Sequence, residues 1–417
     1  MRRLRRWAAR AVHPGHDGDR SAILGYAREL LERKPDVVLI SAYTMYADTC
    51  AGIAALCKVR GIPVLVGGGY FVAPEVVERW LALDGVTAVY GGEPERDLPA
   101  LLDDLAARRD VAHYAGVSVP GRQPASAAPP LADLDQLPFP DYADFPWHLY
   151  PNRIVPIMTG RGCGWGRCTF CADVVTSAGR TFRTRSLQNV LEEIRWQRER
   201  HGAQLFVFLD LKLNSDLRLW RGLLEALPEV APGAAWTASV HVDTRTDHGL
   251  RTEDLTQARK AGLARVTTGL ETASAALQRR MSKGISTERT AAFLRDSTEA
   301  GISARLTMIV GHPGEEPRDV DATARFLGEN EPWVERVMLN RFTLMLGAEA
   351  ERRARTEALA PGFARGAVDP STAVVEHQNA VLARRDHRAA VYRLMKVVHR
   401  INRKRLAPRA REFEGVM

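Results

Sequence analysis

The sequence predicts an α/β protein: a small doubly wound sheet domain, then an open partial barrel of about six β/α units, then a helical tail. Three observations predict it. Short apolar runs alternate with segments of helical period along most of the chain. A Pro-, Ala- and Ser-rich stretch between residues 117 and 152 divides that alternation into two series. The length, 417 residues, exceeds the usual size of one domain.

In the first series, residues 1–116, helical periodicity at 22–34, 48–60, 74–83 and 98–107 separates apolar strands at 36–40 (DVVLI), 63–66 (PVLV) and 88–90. Strands this short and apolar, set between helices, belong in a parallel doubly wound sheet. Such sheets bind ligands at the carboxyl ends of their strands. Ser41 to Thr44, and Gly67, Gly68 and Gly69, occupy those ends. Cys50 and Cys57 fall on one face of the helix at 48–60, a core position for a residue type that is commonly buried.

Residues 117–152 contain GRQPASAAPP and LPFPDYADFPW. Proline fixes its own φ and pushes the residue before it into extended backbone, so this stretch reads as a linker without a core of its own.

The second series, residues 153–351, has candidate strands at 154–158, 205–209, 236–240, 265–268, 304–310 and 336–339. Helices at 187–201, 217–226, 255–261, 290–300 and 318–329 lie between them. Six units fall short of the eight that close a barrel. Residues 352–417 read as mostly helical and basic.

The net charge is +8, carried mainly by arginine in an Arg- and Ala-rich chain. A GC-rich genome explains that bias as readily as nucleic-acid binding does. The eleven Lys and Arg between 384 and 411 could serve nucleic acid or a partner. Val391, Leu394, Val397, Val398 and Ile401 recur there at helical spacing, which favours a helix packed on the protein. There is no apolar run long enough for a membrane span, and no apolar core follows the basic amino terminus. Five cysteines, an odd number with three close together, suit a metal site in a reducing compartment, hence the cytoplasm.

Those three lie in TGRGCGWGRCTFCAD, residues 159–173, directly after the first strand of the second series. Flanking glycines let the backbone curl so that Cys163, Cys168 and Cys171 can face one centre. Three thiolates can hold three irons of a cubane and leave the fourth open, whereas electron-transfer clusters are usually closed by four cysteines. Structural zinc wants four ligands, and the flanking histidines, His148 and His201, stand well away in sequence.

With these residues in view, the chain resembles radical S-adenosylmethionine (SAM) enzymes that carry an N-terminal cobalamin-binding domain. The resemblance covers the linker phrase LDQLPFPD (134–141), the cysteine loop, FLD (208–210), GLETAS (269–274), MSKG (281–284) and IVGHPG (309–314). It implies a Rossmann-like cobalamin-binding domain followed by a (β/α)6 radical SAM barrel. It also implies a 4Fe–4S cluster on Cys163, Cys168 and Cys171, with SAM chelated by the open iron and reductively cleaved to a 5′-deoxyadenosyl radical. One departure is the spacing: four residues, not the family's usual three, separate Cys163 from Cys168.

By position, the resemblance assigns Phe170 and the backbone at Gly311, Pro313 and Gly314 to the adenine, Glu271 to the ribose or amino group, and Asp210 to SAM as well. Arg305 and Asn340 are weaker candidates. A carboxylate at a strand end can equally cap the next helix, and Asp210 carries that alternative. Ser41, Thr44 and Gly67 to Gly69 resemble the residues that take the nucleotide tail of cobalamin. No Asp-x-His-x-x-Gly segment is present, so no histidine is expected on cobalt; His13 and His16 do not fit. The strand that opens the family's first domain would precede Arg2.

The resemblance further implies a small-molecule substrate and an electron donor of the flavodoxin or ferredoxin type. Methyl transfer to an unactivated carbon of a small, specialised metabolite is the leading activity. Rearrangement, cyclisation or oxidation without methyl transfer is the alternative. A methylthiotransferase of transfer RNA would need a second three-cysteine set, and only Cys50 and Cys57 remain.

Overall fold

The computed structural model describes residues 17–42, 46–173, 175–244 and 247–415. The first series forms α1 (Asp17–Leu31), β1 (Val38–Ser41), α2 (Ala47–Val59), β2 (Val64–Gly68), α3 (Pro74–Leu81), β3 (Ala88–Gly91), α4 (Leu98–Ala106) and β4 (Val117–Ser118). β1, β2 and β3 are parallel, and β4 runs antiparallel to β3. The strand order is β1-β2-β3-β4. A doubly wound sheet reverses its strand order, and the described strands show no reversal. Helices nevertheless cover both faces: α2 and α3 pack on one, α4 on the other. Among the described residues β1 is an edge strand, and Leu39 is 49% exposed there. Cys50 and Cys57 are buried beside Ala54 on one face of α2, as their spacing predicts.

The second series opens with β5 (Ile154–Ile157), β6 (Gly160–Gly162), β7 (Val175–Thr176), β8 (Gly179–Arg180) and β9 (Phe182–Thr184). α5 (Leu187–His201), β10 (Leu205–Phe208), α6 (Leu217–Val230), β11 (Ala235–Val240), α7 (Thr252–Lys260) and β12 (Leu263–Glu271) follow. Then come α8 (Ala275–Arg280), α9 (Thr287–Glu299), β13 (Ser303–Val310), α10 (Pro317–Glu329) and β14 (Arg336–Arg341). Strands β5, β10, β11, β12, β13 and β14 pair in that order, all parallel. This is the open six-stranded arrangement that the alternation of apolar runs predicts. Local chemistry sets the helix ends: Ser186 and Asp216 accept backbone N–H groups at the starts of α5 and α6, and Gly202 ends α5 in the left-handed region. Val155, Phe208, Trp236, Val266 and Leu306 alternate outward and bury against the helices, leaving the intervening residues on the concave face.

The end of the chain corrects the expectation of a helical tail. β15 (Leu344–Met345), α11 (Glu349–Ala354), β16 (Phe363–Asp369) and β17 (Val374–Asn379) precede α12 (Arg385–Asn402) and α13 (Pro408–Arg411). The hairpin β16–β17 forms because Asp369 accepts from Ser371 N (2.9 Å) and Thr372 Oγ1 (2.8 Å), closing a turn around Pro370. Phe363 and Val375 then join the core of the first sheet with Val66 and Trp80. Trp80 Nε1 donates to Ser371 O at 3.1 Å. The helical part of the tail does pack. Leu394, Val398 and Ile401 enter the barrel core, and Arg384, Arg393 and Arg400 pair with Glu316, Asp321 and Glu331. Phe413 closes the amino-terminal end of the barrel, where Arg265 donates to its carbonyl at 2.9 Å. No described helix is long and apolar enough to cross a membrane.

Candidate active site

The cysteine loop leaves the carboxyl end of β5 and is held at several points. Asp210, at the end of β10, accepts from Thr159 N (3.0 Å) and Thr159 Oγ1 (2.7 Å) and so pins the loop's start. Burial pushes this carboxyl up, against the pull of those hydrogen bonds. Arg180 reaches back to the carbonyls of Gly166, Cys168 and Cys171. Thr169 N donates to Met281 O at 2.9 Å, and Trp165 Nε1 to Ser282 O at 2.8 Å. The Trp165 ring lies over Gly284, where an added Cβ would stand 2.0 Å from Cζ2. The four-residue spacing between Cys163 and Cys168 thus carries an indole that bolts the loop to the 281–284 segment.

Cys163, Cys168 and Cys171 line one cavity of about 350 Å³ together with Phe170, Lys212, Ser239, His241, Thr267, Gly269, Glu271, Lys283 and Thr307. The strand residues among these sit toward the carboxyl ends of β11, β12 and β13, the face where β/α barrels work. Glu271 terminates β12 with φ of 60°, beside a register shift between Gly269 and Glu271. A non-glycine residue in the left-handed region is held there by its surroundings. Here the hold is Lys283, whose Nζ lies 2.8 Å from Glu271 Oε1. Burial disfavours charge on Lys283, but the Glu271 carboxylate beside it outweighs that, so the ammonium is held above its ordinary range. Gly269 leaves room for this pair: a Cβ there would stand 2.1 Å from Glu271 Oε1, so the carboxylate would have to move. Lys283 also faces the Phe170 ring, 5.7 Å from its centroid. A second buried pair, Lys212 and Asp243 at 3.1 Å, follows β10 and β11, and Lys212 lines the cavity.

The donor set suits an iron–sulfur cluster. Among the described residues no three His, Cys, Asp or Glu side chains gather tightly enough for a single metal ion. A cubane asks for wider spacing, because each thiolate takes a different iron. Burial, tempered by Lys283, raises the Cys168 thiol. Burial and then Asp173 push Cys171 up to about 12. Both shifts favour the protonated form of Cys168 and Cys171, and ligation to a metal would ionise them.

Ser41 and Gly67 are register partners at the carboxyl ends of β1 and β2. Ser41 is exposed, and nothing stands within 4 Å of a Cβ added at Gly69. Gly68 must lack a side chain, since its Cβ would meet Ala42 O at 2.4 Å. This open ledge adjoins the cavity: Tyr70 Oη donates to Asp173 Oδ1 at 3.4 Å, and Asp173 lines the cavity. A bulky cofactor with a tail lying along the ledge fits such a surface. Thr44, His13 and His16 lie outside the described residues.

Other candidates fall elsewhere. Asp210 is spent on Thr159 and does not line the cavity. Gly311, Pro313 and Gly314 also lie off its wall: Gly311 N donates to Glu315, Pro313 O meets His312 Nδ1, and Gly314 abuts Arg280. Lys283, His241, Lys212, Trp165 and Arg180 are cavity residues that the motif reading passed over. Lys283 and Trp165 sat inside quoted motifs, in MSKG and the cysteine loop. The other three carry no local signal.

Residues 157–327 match the Radical SAM superfamily. The chain carries a radical SAM domain. A radical SAM domain works with a 4Fe–4S cluster and SAM, in line with the thiols around the cavity. The domain is accompanied by relatives along much of the chain. An uncharacterized methyltransferase of Pyrococcus horikoshii is 28% identical over 70% of this chain and 64% of its own length. Bacteriochlorophyllide d C-12(1)-methyltransferase of Chlorobaculum tepidum is 24% identical over 71% of this chain and 61% of its own. The chain therefore spans somewhat under two thirds of these relatives. Among solved structures, TsrM from Kitasatospora setae, a radical SAM methyltransferase, superposes on 92% of this chain and 81% of its own with a TM-score of 0.66 at 18% identity. OxsB, a cobalamin-dependent radical SAM enzyme, covers 89% of this chain and 59% of its own, with a TM-score of 0.67 at 15% identity. These last two likenesses are of fold.

Proposed function

We propose that this chain is a cobalamin-dependent radical SAM enzyme that places a methyl group on an unactivated carbon of a small, specialised metabolite. The observation that carries the reading is the meeting of two features: a cavity lined by three thiols of one loop, and the Ser41–Gly67 ledge of the first sheet beside it. The names of the relatives support methyl transfer, and the structure of TsrM with cobalamin and a 4Fe–4S cluster supports the pairing of these cofactors on such a fold.

In this reading Cys163, Cys168 and Cys171 would hold three irons, and Ser41 with Gly67 to Gly69 would take the tail of cobalamin. When bound, these groups supply an electron for C–S cleavage of SAM and a carrier for the methyl group. The chain supplies placement. Lys283 keeps the Glu271 carboxylate aimed at the cavity, where it accepts from a hydroxyl or amino group of SAM. Phe170 offers a flat apolar wall to the adenine. Ser239, Gly269 and Thr267 are small, leaving room above the strands, and the packed helices keep water from the reacting carbon. Free thiols and an open cluster fit a cytoplasmic setting, with a flavodoxin- or ferredoxin-type donor.

Anaerobic reconstitution with iron and sulfide, followed by product analysis with and without cobalamin, tests the reading. Methyl transfer yields 5′-deoxyadenosine together with S-adenosylhomocysteine, and only when cobalamin is present. Formation of 5′-deoxyadenosine alone, indifferent to corrinoid, would replace it with rearrangement, cyclisation or oxidation.

A further inference from the structure

We propose that Arg305 anchors a carboxylate of the substrate, so that the metabolite is a small amphiphile with one anionic end; this rests on the radical SAM reading above.

The argument begins with strand register. Ala304, Leu306 and Met308 of β13 bury against the outer helices, so Arg305 and Thr307 face the concave side. Thr307 lines the three-cysteine cavity, as does Thr267, the register partner of Arg305 on β12. Arg305 therefore lies on the same concave face, paired with Thr267 and two residues before Thr307 on β13, just beyond the lining of that cavity. Its neighbours are spoken for. Arg265 donates to Phe413 O (2.9 Å) and Ala410 O (2.6 Å). Arg336 donates to Lys404 O (3.0 Å) and pairs with Glu414 at 3.4 Å. Among the described residues Arg305 makes no hydrogen bond or ion pair, and its Nε is sealed from solvent without an acceptor. The side chain is partly exposed, so its terminal nitrogens stay open to an incoming group, and the guanidinium has no counter-charge of its own.

What pairs with it must also meet the surrounding surface. Leu209, Leu211 and Met338 are large apolar side chains left 40%, 45% and 38% exposed. Leu211 lines the cavity, and Met338 is the register partner of Thr307. An apolar body over these residues with an anionic end on Arg305 satisfies both. One planar guanidinium flanked by threonine hydroxyls matches a bidentate carboxylate; a phosphate would want more donors. The carboxylate of SAM is the other possible source. Chelation to iron would keep that group at the level of the cysteines and Glu271, and Glu271 stands four positions beyond Thr267 on β12, roughly 13 Å along a strand.

The test uses the reconstituted full chain, with 3-phenylpropanoate and its neutral amide as probes, their affinities measured by calorimetry. The wild type is expected to bind the acid at least tenfold more tightly than the amide. Arg305→Gln should erase that preference and Arg305→Lys should keep part of it, with thermal melting confirming that both variants fold. SAM affinity, measured on the same variants, separates the two carboxylates. Equal binding of acid and amide by the wild type, a preference surviving in R305Q, or loss of SAM affinity in R305Q would each overturn the proposal. A wild-type acid preference without any 5′-deoxyadenosine formation would uphold the anion site while removing the radical reading.

Discussion

Lys283 Nζ lies 2.8 Å from Glu271 Oε1, and both side chains are buried beside the three-cysteine loop. Removing one member leaves an uncompensated charge. Glu271→Ala should therefore cost about 3–5 kcal/mol. Adding Lys283→Met to it should recover part of that loss, a coupling of about 1–3 kcal/mol in a double-mutant cycle read by denaturant melting. Strictly additive losses would mean the pair does not act as a unit.

The second relationship is between Trp165 and Gly284. Gly284 has φ of 66°, and its missing side chain is the space the indole occupies. Gly284→Ala should cost about 2–4 kcal/mol from overlap and backbone strain together. It should also loosen the cysteine loop, so iron retained per chain after reconstitution should drop. Trp165→Ala should lower iron retention too, while G284A added to W165A should do little more. An undiminished iron content in both single variants would detach the indole from any role in holding the loop.

Each of Cys163→Ala, Cys168→Ala and Cys171→Ala should abolish the visible absorbance of the reconstituted cluster. Cys50→Ala and Cys57→Ala should leave it, because those thiols sit in the core of the first sheet, where burial pushes Cys50 up to about 11. Retained absorbance in C168A would sink the cluster assignment.

The six parallel strands were legible because most of them carry a short apolar run buried on the outer face, as Phe206 and Phe208 are in β10. The cysteine loop was legible because its chemistry is local. The hairpin at 363–379 was not: its apolar residues are few, and it is stable because Phe363 and Val375 find Trp80 almost three hundred residues away in the chain. The partners of a buried charge were equally hidden. Glu271 stood out by its motif, yet nothing in sequence joined it to Lys283, and Asp210, readable as a ligand residue or a helix cap, gave no sign of its bonds to Thr159. Pairings made through tertiary contact leave no period to read.

Glu93 is the clearest such case, and it sets a pH limit. It follows β3 and joins Arg161 (2.9 Å) and Arg183 (2.6 Å) on the two strands that frame the cysteine loop, while Leu131 N donates to it at 2.9 Å. Burial alone would raise this carboxyl, but the hydrogen bonds from Arg183 and Leu131 and the charge of both arginines hold it down at about 2, against an ordinary 4.5. A carboxyl depressed in the folded state stabilises the fold fully above its unfolded pKa. The contribution shrinks as pH falls from about 4.5 and is gone below about 2. A shift of this size corresponds to about 3 kcal/mol. Glu93→Gln should thus lower stability by a similar amount at pH 7 and by progressively less toward pH 3, when both proteins are melted side by side. A deficit that stays constant from pH 7 to pH 3 would show that Glu93 acts through packing and not through its charge.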